Sequence, residues 1–155
     1  MAGRVEMKLA ELGLSLPTPM APIANYVPYV VTGNLVVISG QLPAVDGKVA
    51  VTGKVSWGVS VEQAKDAARL SFINVLAHLK AACGGDLDRV KRVVRLGGFI
   101  AAPSDFNQHA LVMNGASDLA VAIFGEAGRH ARTTIGVPSL PADAAVEVEG
   151  MFEIE

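Results

Sequence analysis

The segment that most limits what this chain can fold into runs from Ser60 to Gly85. Ser60 and Gln63 have the S-x-x-Q spacing of a capping box, in which each side chain satisfies a free backbone N–H at a helix start. Ala64, Ala68, Phe72, Val75, Leu76 and Leu79 then fall on one face at three- and four-residue spacing. Gly84-Gly85 ends the pattern. A helix of about six turns with a single apolar stripe needs something flat to lie on, and a sheet face provides it.

The strands for that sheet are legible. Tyr29–Thr32 and Leu35–Ser39 read as two strands joined by a tight turn at Gly33-Asn34. Val93–Ala101 is a third strand, and Gly97-Gly98 inside it predicts a bulge or a close backbone approach. Thr133–Val137 is a short fourth. Ala145–Ile154 alternates, with Val146, Val148, Phe152 and Ile154 on one side and Glu147, Glu149 and Glu153 on the other. A second helix spans Val112–Phe124, and a short one lies within Val5–Leu14. Pro17, Pro19 and Pro22 force an extended connection after it. The expected architecture is an α+β layer: residues 21–155 form one domain, with two helices on one face of a mixed sheet. Residues 1–20 form an N-terminal arm with a short helix. With no further helix for the other sheet face, a second subunit is the natural cover.

Composition agrees with that cover. The 155 residues are 51% hydrophobic and 18% charged, and Ala, Val, Leu and Ile supply the excess over aromatics. No apolar run reaches the ~18–20 residues that span a bilayer, so an oligomer is expected rather than a membrane protein. The net charge is −2 and no basic stripe stands out, which disfavours nucleic acid as a partner. One cysteine, Cys83, precludes an intrachain disulfide. Residues 1–16 mix Arg4, Glu6, Lys8 and Glu11 with apolar residues and lack a signal peptide's apolar core, so a cytoplasmic location is expected.

Metal, nucleotide and dinucleotide motifs are absent, and His78, His109 and His130 lack metal-ligand spacing. Cys83 has no evident base, His78 reads as a packing or surface histidine, and Trp57 reads as a packing residue. Four places could carry chemistry. Arg129-His130-Ala131-Arg132 sets two arginines beside a strand start. A guanidinium is a planar fork that fits a carboxylate, although a surface ion pair would use the same residues. Glu147 and Glu149 share a strand face that solvent alone would also explain. Asn25-Tyr26 and Ser39-Gly40-Gln41 could line a pocket or simply form turns.

Three separated runs resemble the RidA/YjgF family of enamine/imine deaminases, also described as endoribonuclease L-PSP. They are Asn25-Tyr26 with Gly33–Pro43, the helix with Gln63-Ala64 and Asn74-Val75-Leu76, and Ala131–Val137 with Leu140-Pro141 and Val146–Glu149. The resemblance covers residues 20–154. It implies a chorismate-mutase-like fold and a homotrimer with clefts between subunits. It also implies hydrolysis of 2-aminoacrylate and related enamines or imines to 2-oxo acids and ammonia, with no metal or organic cofactor. Carried over residue by residue, Arg132 binds the substrate carboxylate and Glu147 orients or activates water. Tyr26, Ser39, Gly40, Asn114 and Thr134 line the pocket, Thr134 standing where many relatives have cysteine. Two rivals share these residues: a module that binds 2-oxo acids without turnover, and a ribonuclease, which the acidic balance disfavours.

Overall fold

The computed structural model describes residues 2–19, 21–22 and 24–155. The chain runs α1 (Arg4–Glu11), β1 (Tyr29–Thr32), β2 (Leu35–Gln41), β3 (Ala44–Val45), β4 (Lys48–Val49), β5 (Lys54–Val55), β6 (Gly58–Val59), α2 (Val61–Ala82), β7 (Val90–Ala101), α3 (His109–Phe124), β8 (Ala131–Val137) and β9 (Val146–Ile154). Five strands form one mixed sheet in the order β1-β2-β9-β7-β8. Its pairs are antiparallel except β7–β8, which α3 joins as a parallel crossover.

The capping box forms as the sequence predicts: Ser60 Oγ accepts from the Gln63 amide at 3.1 Å, and Gln63 Oε1 accepts from the Ser60 amide at 2.8 Å. α2 lies over β2 and β9, and α3 lies beside it over β7 and β8. Between helices and sheet sit Phe72, Leu76 and Leu79 of α2, Val36 and Ile38 of β2, Leu96 and Ile100 of β7, and Val148 and Phe152 of β9. The short helix expected within Val5–Leu14 forms as α1 (Arg4–Glu11), and its Val5 and Leu9 join the same core as the two larger helices. The Asp88 carboxylate caps its first turn, accepting from the Arg4 and Val5 amides at 2.8 Å each.

Two glycines show how tightly the layers meet. A Cβ on Gly98 of β7 would lie 2.5 Å from Met113 Sδ, so the Gly97-Gly98 pair marks a close approach; the register irregularities of β7 fall earlier, at Val90–Arg95. A Cβ on Gly115 would lie 2.0 Å from the Lys65 carbonyl oxygen, where α3 crosses α2 backbone to backbone.

Two expectations are corrected. Residues His109–Gly128, 20 residues with a mean hydropathy of 1.2 over an 18-residue window, are long and apolar enough on composition to cross a bilayer. The expected helix start at Val112 hid that length. α3 is nonetheless a core helix, with Val112, Met113, Ala116, Leu119 and Ala120 buried against α2 and the sheet. Trp57 does not pack within this chain: it sits in the β5–β6 turn, 68% exposed, beside Ser56 at φ +72°.

Among the described residues, no helix of this chain covers the opposite face of the sheet. Val30 pairs with Val37, Val37 with Met151, and Met151 with Arg95, giving one row across that face. Val30 is 50% exposed and Ile135 48%. An Arg95–Glu149 ion pair at 3.4 Å lies among them.

Gly115→Ala should destabilise the chain by about 2–3 kcal/mol, since backbone rather than a pliable side chain must give way. Urea unfolding of the variant beside the parent measures it, and an unchanged midpoint would contradict the close crossing.

Candidate active site

β2 carries one more residue than its partner at Ser39-Gly40. Ile38 pairs with Gly150 and Gln41 with Val148, so Ser39 and Gly40 both stand opposite Glu149. Such a bulge bends the strand and re-aims its remaining residues. Here it brings Gly40 onto the Glu147 side chain: a Cβ at Gly40 would lie 2.6 Å from Glu147 Oε2. Ser39 Oγ donates to the Val27 carbonyl at 2.8 Å, and the Ser39 amide donates to Pro28. Ser39 thus ties down the segment that carries Tyr26. On the far side, Asn74 of α2 donates to the Leu42 and Ala44 carbonyls at 3.0 Å each. The result is a cleft with about 620 Å³ of empty space, part of it open to solvent, lined among others by Tyr26, Pro28, Gly40, Gln41, Leu42 and Glu147.

Glu147 is half-buried in this cleft, and no donor among the described residues bonds to it. Burial, and then the Glu149 carboxylate, raise its pKa above the ordinary glutamate value. A carboxyl raised in this way holds a proton more readily than an ordinary glutamate, which suits it to proton exchange with water.

Arg132 lies elsewhere. It pairs with Leu96, whose side chain is in the core, so Arg132 projects from the helix side of edge strand β8. Its Nη1 donates to Asn114 Oδ1 at 2.8 Å and to Ser117 Oγ at 3.1 Å, both on α3. Ser117 Oγ is 2.8 Å from His130 Nε2, and His130 Nδ1 is 2.6 Å from the Gly128 carbonyl. With Nη1 held, Nη2 and Nε have no hydrogen-bond partner among the described residues and form a two-pronged edge for a carboxylate. Thr134, two residues on, projects to the same side against Gly98, and its Oγ1 has no partner among the described residues.

The predicted site residues therefore assemble as two groups. Tyr26, Gly40 and Glu147 form one, with Ser39 supporting it from behind. Arg132, Asn114 and Thr134 form the other. Glu147 pairs with Phe99, and Phe99 with Ile135, on the uncovered sheet face. Arg132 and Glu147 are on opposite faces with β7 between them, and a single chain does not bring them together. Sequence reading missed Ser117, and singled out the run that holds His130 without giving that histidine a role of its own. The available signal was that Ser117 lies one helical turn after Asn114 and so shares its face.

Among the described residues no three His, Cys, Asp or Glu side chains are arranged to hold a metal. Cys83 is buried, which raises its thiol pKa and leaves it unreactive.

Residues 6–153 match the family described as "YjgF/chorismate_mutase-like, putative endoribonuclease", and the chain belongs to it. It is 45% identical to Protein TCP17 of Trypanosoma cruzi, over 99% of this chain and 96% of that protein. It is 31% identical to a 2-iminobutanoate/2-iminopropanoate deaminase of Dermatophagoides farinae, over 92% of this chain and 95% of that one. Protein Atu1372 of Agrobacterium tumefaciens, whose crystal structure is solved, superposes with a TM-score of 0.92 at 47% identity, covering 98% of this chain and 93% of that one.

Gly40→Ala should leave the fold intact, because the obstructing atoms are the far end of one glutamate, yet displace Glu147 from the cleft. Whatever reaction Glu147 serves should fall about tenfold or more with an unchanged unfolding midpoint; equal activity would show that the close seating of Gly40 on Glu147 has no functional role.

Proposed function

We propose that this protein hydrolyses small enamines and imines carrying a carboxylate, 2-aminoacrylate among them, to 2-oxo acids and ammonia. We further propose that it does so in clefts shared by copies of the chain. The observation that carries the reading is the pair of complementary half-sites. One offers a held guanidinium with a free two-pronged edge, the other a half-buried carboxyl of raised pKa beneath Tyr26. The imine deaminase among its relatives is in keeping with it.

The chemistry asks for little else. The enamine takes a proton at its terminal carbon and loses one from nitrogen, giving the imine. Water oxygen adds to the imine carbon while nitrogen gains a proton. The new hydroxyl then gives its proton to nitrogen, the C–N bond breaks, ammonia leaves and the C=O bond forms. Arg132 holds the carboxylate through Nη2 and Nε, fixing where water must attack. Glu147 accepts the proton of the attacking water and returns it to the departing nitrogen.

The bare sheet face supports the assembly. Val30, Val37, Ile135 and Met151 make an apolar surface of the kind that obligate interfaces cover. A closed ring of three copies repeats one head-to-tail contact, which sets the Arg132 edge of one copy against the Glu147 cleft of the next. Binding of 2-oxo acids without turnover would use the same Arg132 fork, so turnover must be measured directly. A net charge of −2 disfavours RNA as substrate.

With 2-aminoacrylate generated in the cuvette, Arg132→Ala and Glu147→Gln should each lose roughly 10²-fold or more in the rate of 2-oxo acid release. Light scattering should show the same assembly as the parent. Full turnover by Arg132→Ala would remove this residue from the reaction and with it the proposed function.

A further inference from the structure

We propose that Ser117 and His130 are positioning residues that hold the Arg132 guanidinium ready for a substrate carboxylate, and that the hold depends on a neutral His130 imidazole. The proposal rests on the reading of Arg132 as the carboxylate clamp and adds what sets its aim and its response to acid.

The bonds fix the proton positions. His130 Nδ1 faces the Gly128 carbonyl at 2.6 Å, and a carbonyl only accepts, so Nδ1 carries a hydrogen. In the neutral ring Nε2 is then an acceptor, and it receives the Ser117 hydroxyl hydrogen at 2.8 Å. That leaves the Ser117 oxygen lone pairs directed at Arg132 Nη1, at 3.1 Å. Asn114 Oδ1 takes the second Nη1 hydrogen at 2.8 Å. The four groups form one chain of donors and acceptors with no conflict, and it turns Nη2 and Nε outward.

Protonation of His130 breaks this order. Nε2 becomes a donor, the Ser117 hydrogen loses its acceptor, and two cations converge on one oxygen. The surroundings oppose that state. His130 is half-buried, which favours the neutral ring most, and the Arg132 charge acts in the same direction, while the Gly128 hydrogen bond opposes them. The other charged groups near it are Asp118 of α3, exposed on the far side of Ser117, Arg129 beside it in the chain, and Arg92 of β7, which donates to the Arg129 carbonyl. Glu126, in the turn after α3, is paired with Arg129 at 3.0 Å. Asp118 is the one anion of this set without an ion-pair partner among the described residues, and it is exposed to solvent.

These proton positions set the sign of the pH effect. As pH falls through the His130 titration, the clamp loosens and carboxylate affinity drops. Glu147 titrates with the opposite sense, since its protonation removes a negative charge and would favour an anion, so the two are separable.

The test measures pyruvate binding by calorimetry and 2-aminoacrylate turnover, both from pH 7.5 to 5.5, on the parent, His130→Gln, Ser117→Ala and Ser117→Thr. The parent should bind pyruvate several-fold more weakly at pH 5.5, though less than tenfold because burial lowers the His130 pKa, with KM rising likewise; a fall in kcat over this range reports the Glu147 base and not the clamp. His130→Gln, which cannot titrate, should lose that acid limb. Ser117→Ala should bind about 3- to 10-fold more weakly at pH 7.5, and Ser117→Thr should restore it. Variants that keep the parent affinity and acid limb overturn the proposal, as does a parent that binds no pyruvate at any pH. Normal pyruvate behaviour without turnover leaves the proposal standing and overturns the deaminase reading instead.

Discussion

Side chains alternate between the two faces of a strand, and in this sheet the chain's own helices cover only one of them. Everything of functional interest depends on that asymmetry. α2 and α3 bury Val146, Val148 and Phe152 of β9 on the covered side, which leaves Glu147 and Glu149 on the other. The same rule on β8 sends Arg132 and Thr134 toward α3, where Asn114 and Ser117 meet the guanidinium, and leaves Ile135 outward. Arg132 and Glu147, with a single strand between them, therefore end up on opposite sides of the sheet.

Each half rests on several close contacts. The Glu147 cleft depends on a bulge, a glycine with no room for a Cβ, and an α2 asparagine that holds two loop carbonyls. The Arg132 half depends on helix α3, which can deliver Asn114 and Ser117 because Gly98 and Gly115 let it sit close to β7 and α2. These features are costly to keep, since each one removes either a side chain or conformational freedom. Their concentration around two incomplete sites, beside an apolar sheet face that no helix among the described residues covers, is what one chain of a ring would present.

Much of this was legible in the sequence. The Ser60–Gln63 box, the Gly33-Asn34 turn and the alternation after Ala145 each rest on local chemistry, and each forms where expected. Arg132 and Glu147 were picked out through a resemblance, since composition alone allows both to be ordinary surface charges. What escaped was non-local. The bulge at Ser39-Gly40 exists only relative to β9. The start of α3 at His109 was hidden because Gln108 makes no side-chain cap. Trp57 read as a packing residue, but it lies exposed in the β5–β6 turn beside a left-handed Ser56. Ser117 and His130 acquire meaning only once β8 is laid beside α3.

The central claim is that Arg132 of one copy works with Glu147 of another. Coexpressing differently tagged Arg132→Ala and Glu147→Gln chains and purifying the doubly tagged assemblies tests it most directly. In a mixed ring of three, about one interface in three joins an intact Arg132 to an intact Glu147, whichever chain is in the majority. Deaminase activity of about a third of the parent's, against almost none for either variant alone, is the predicted result. Mixed assemblies no more active than the separate variants would contradict it.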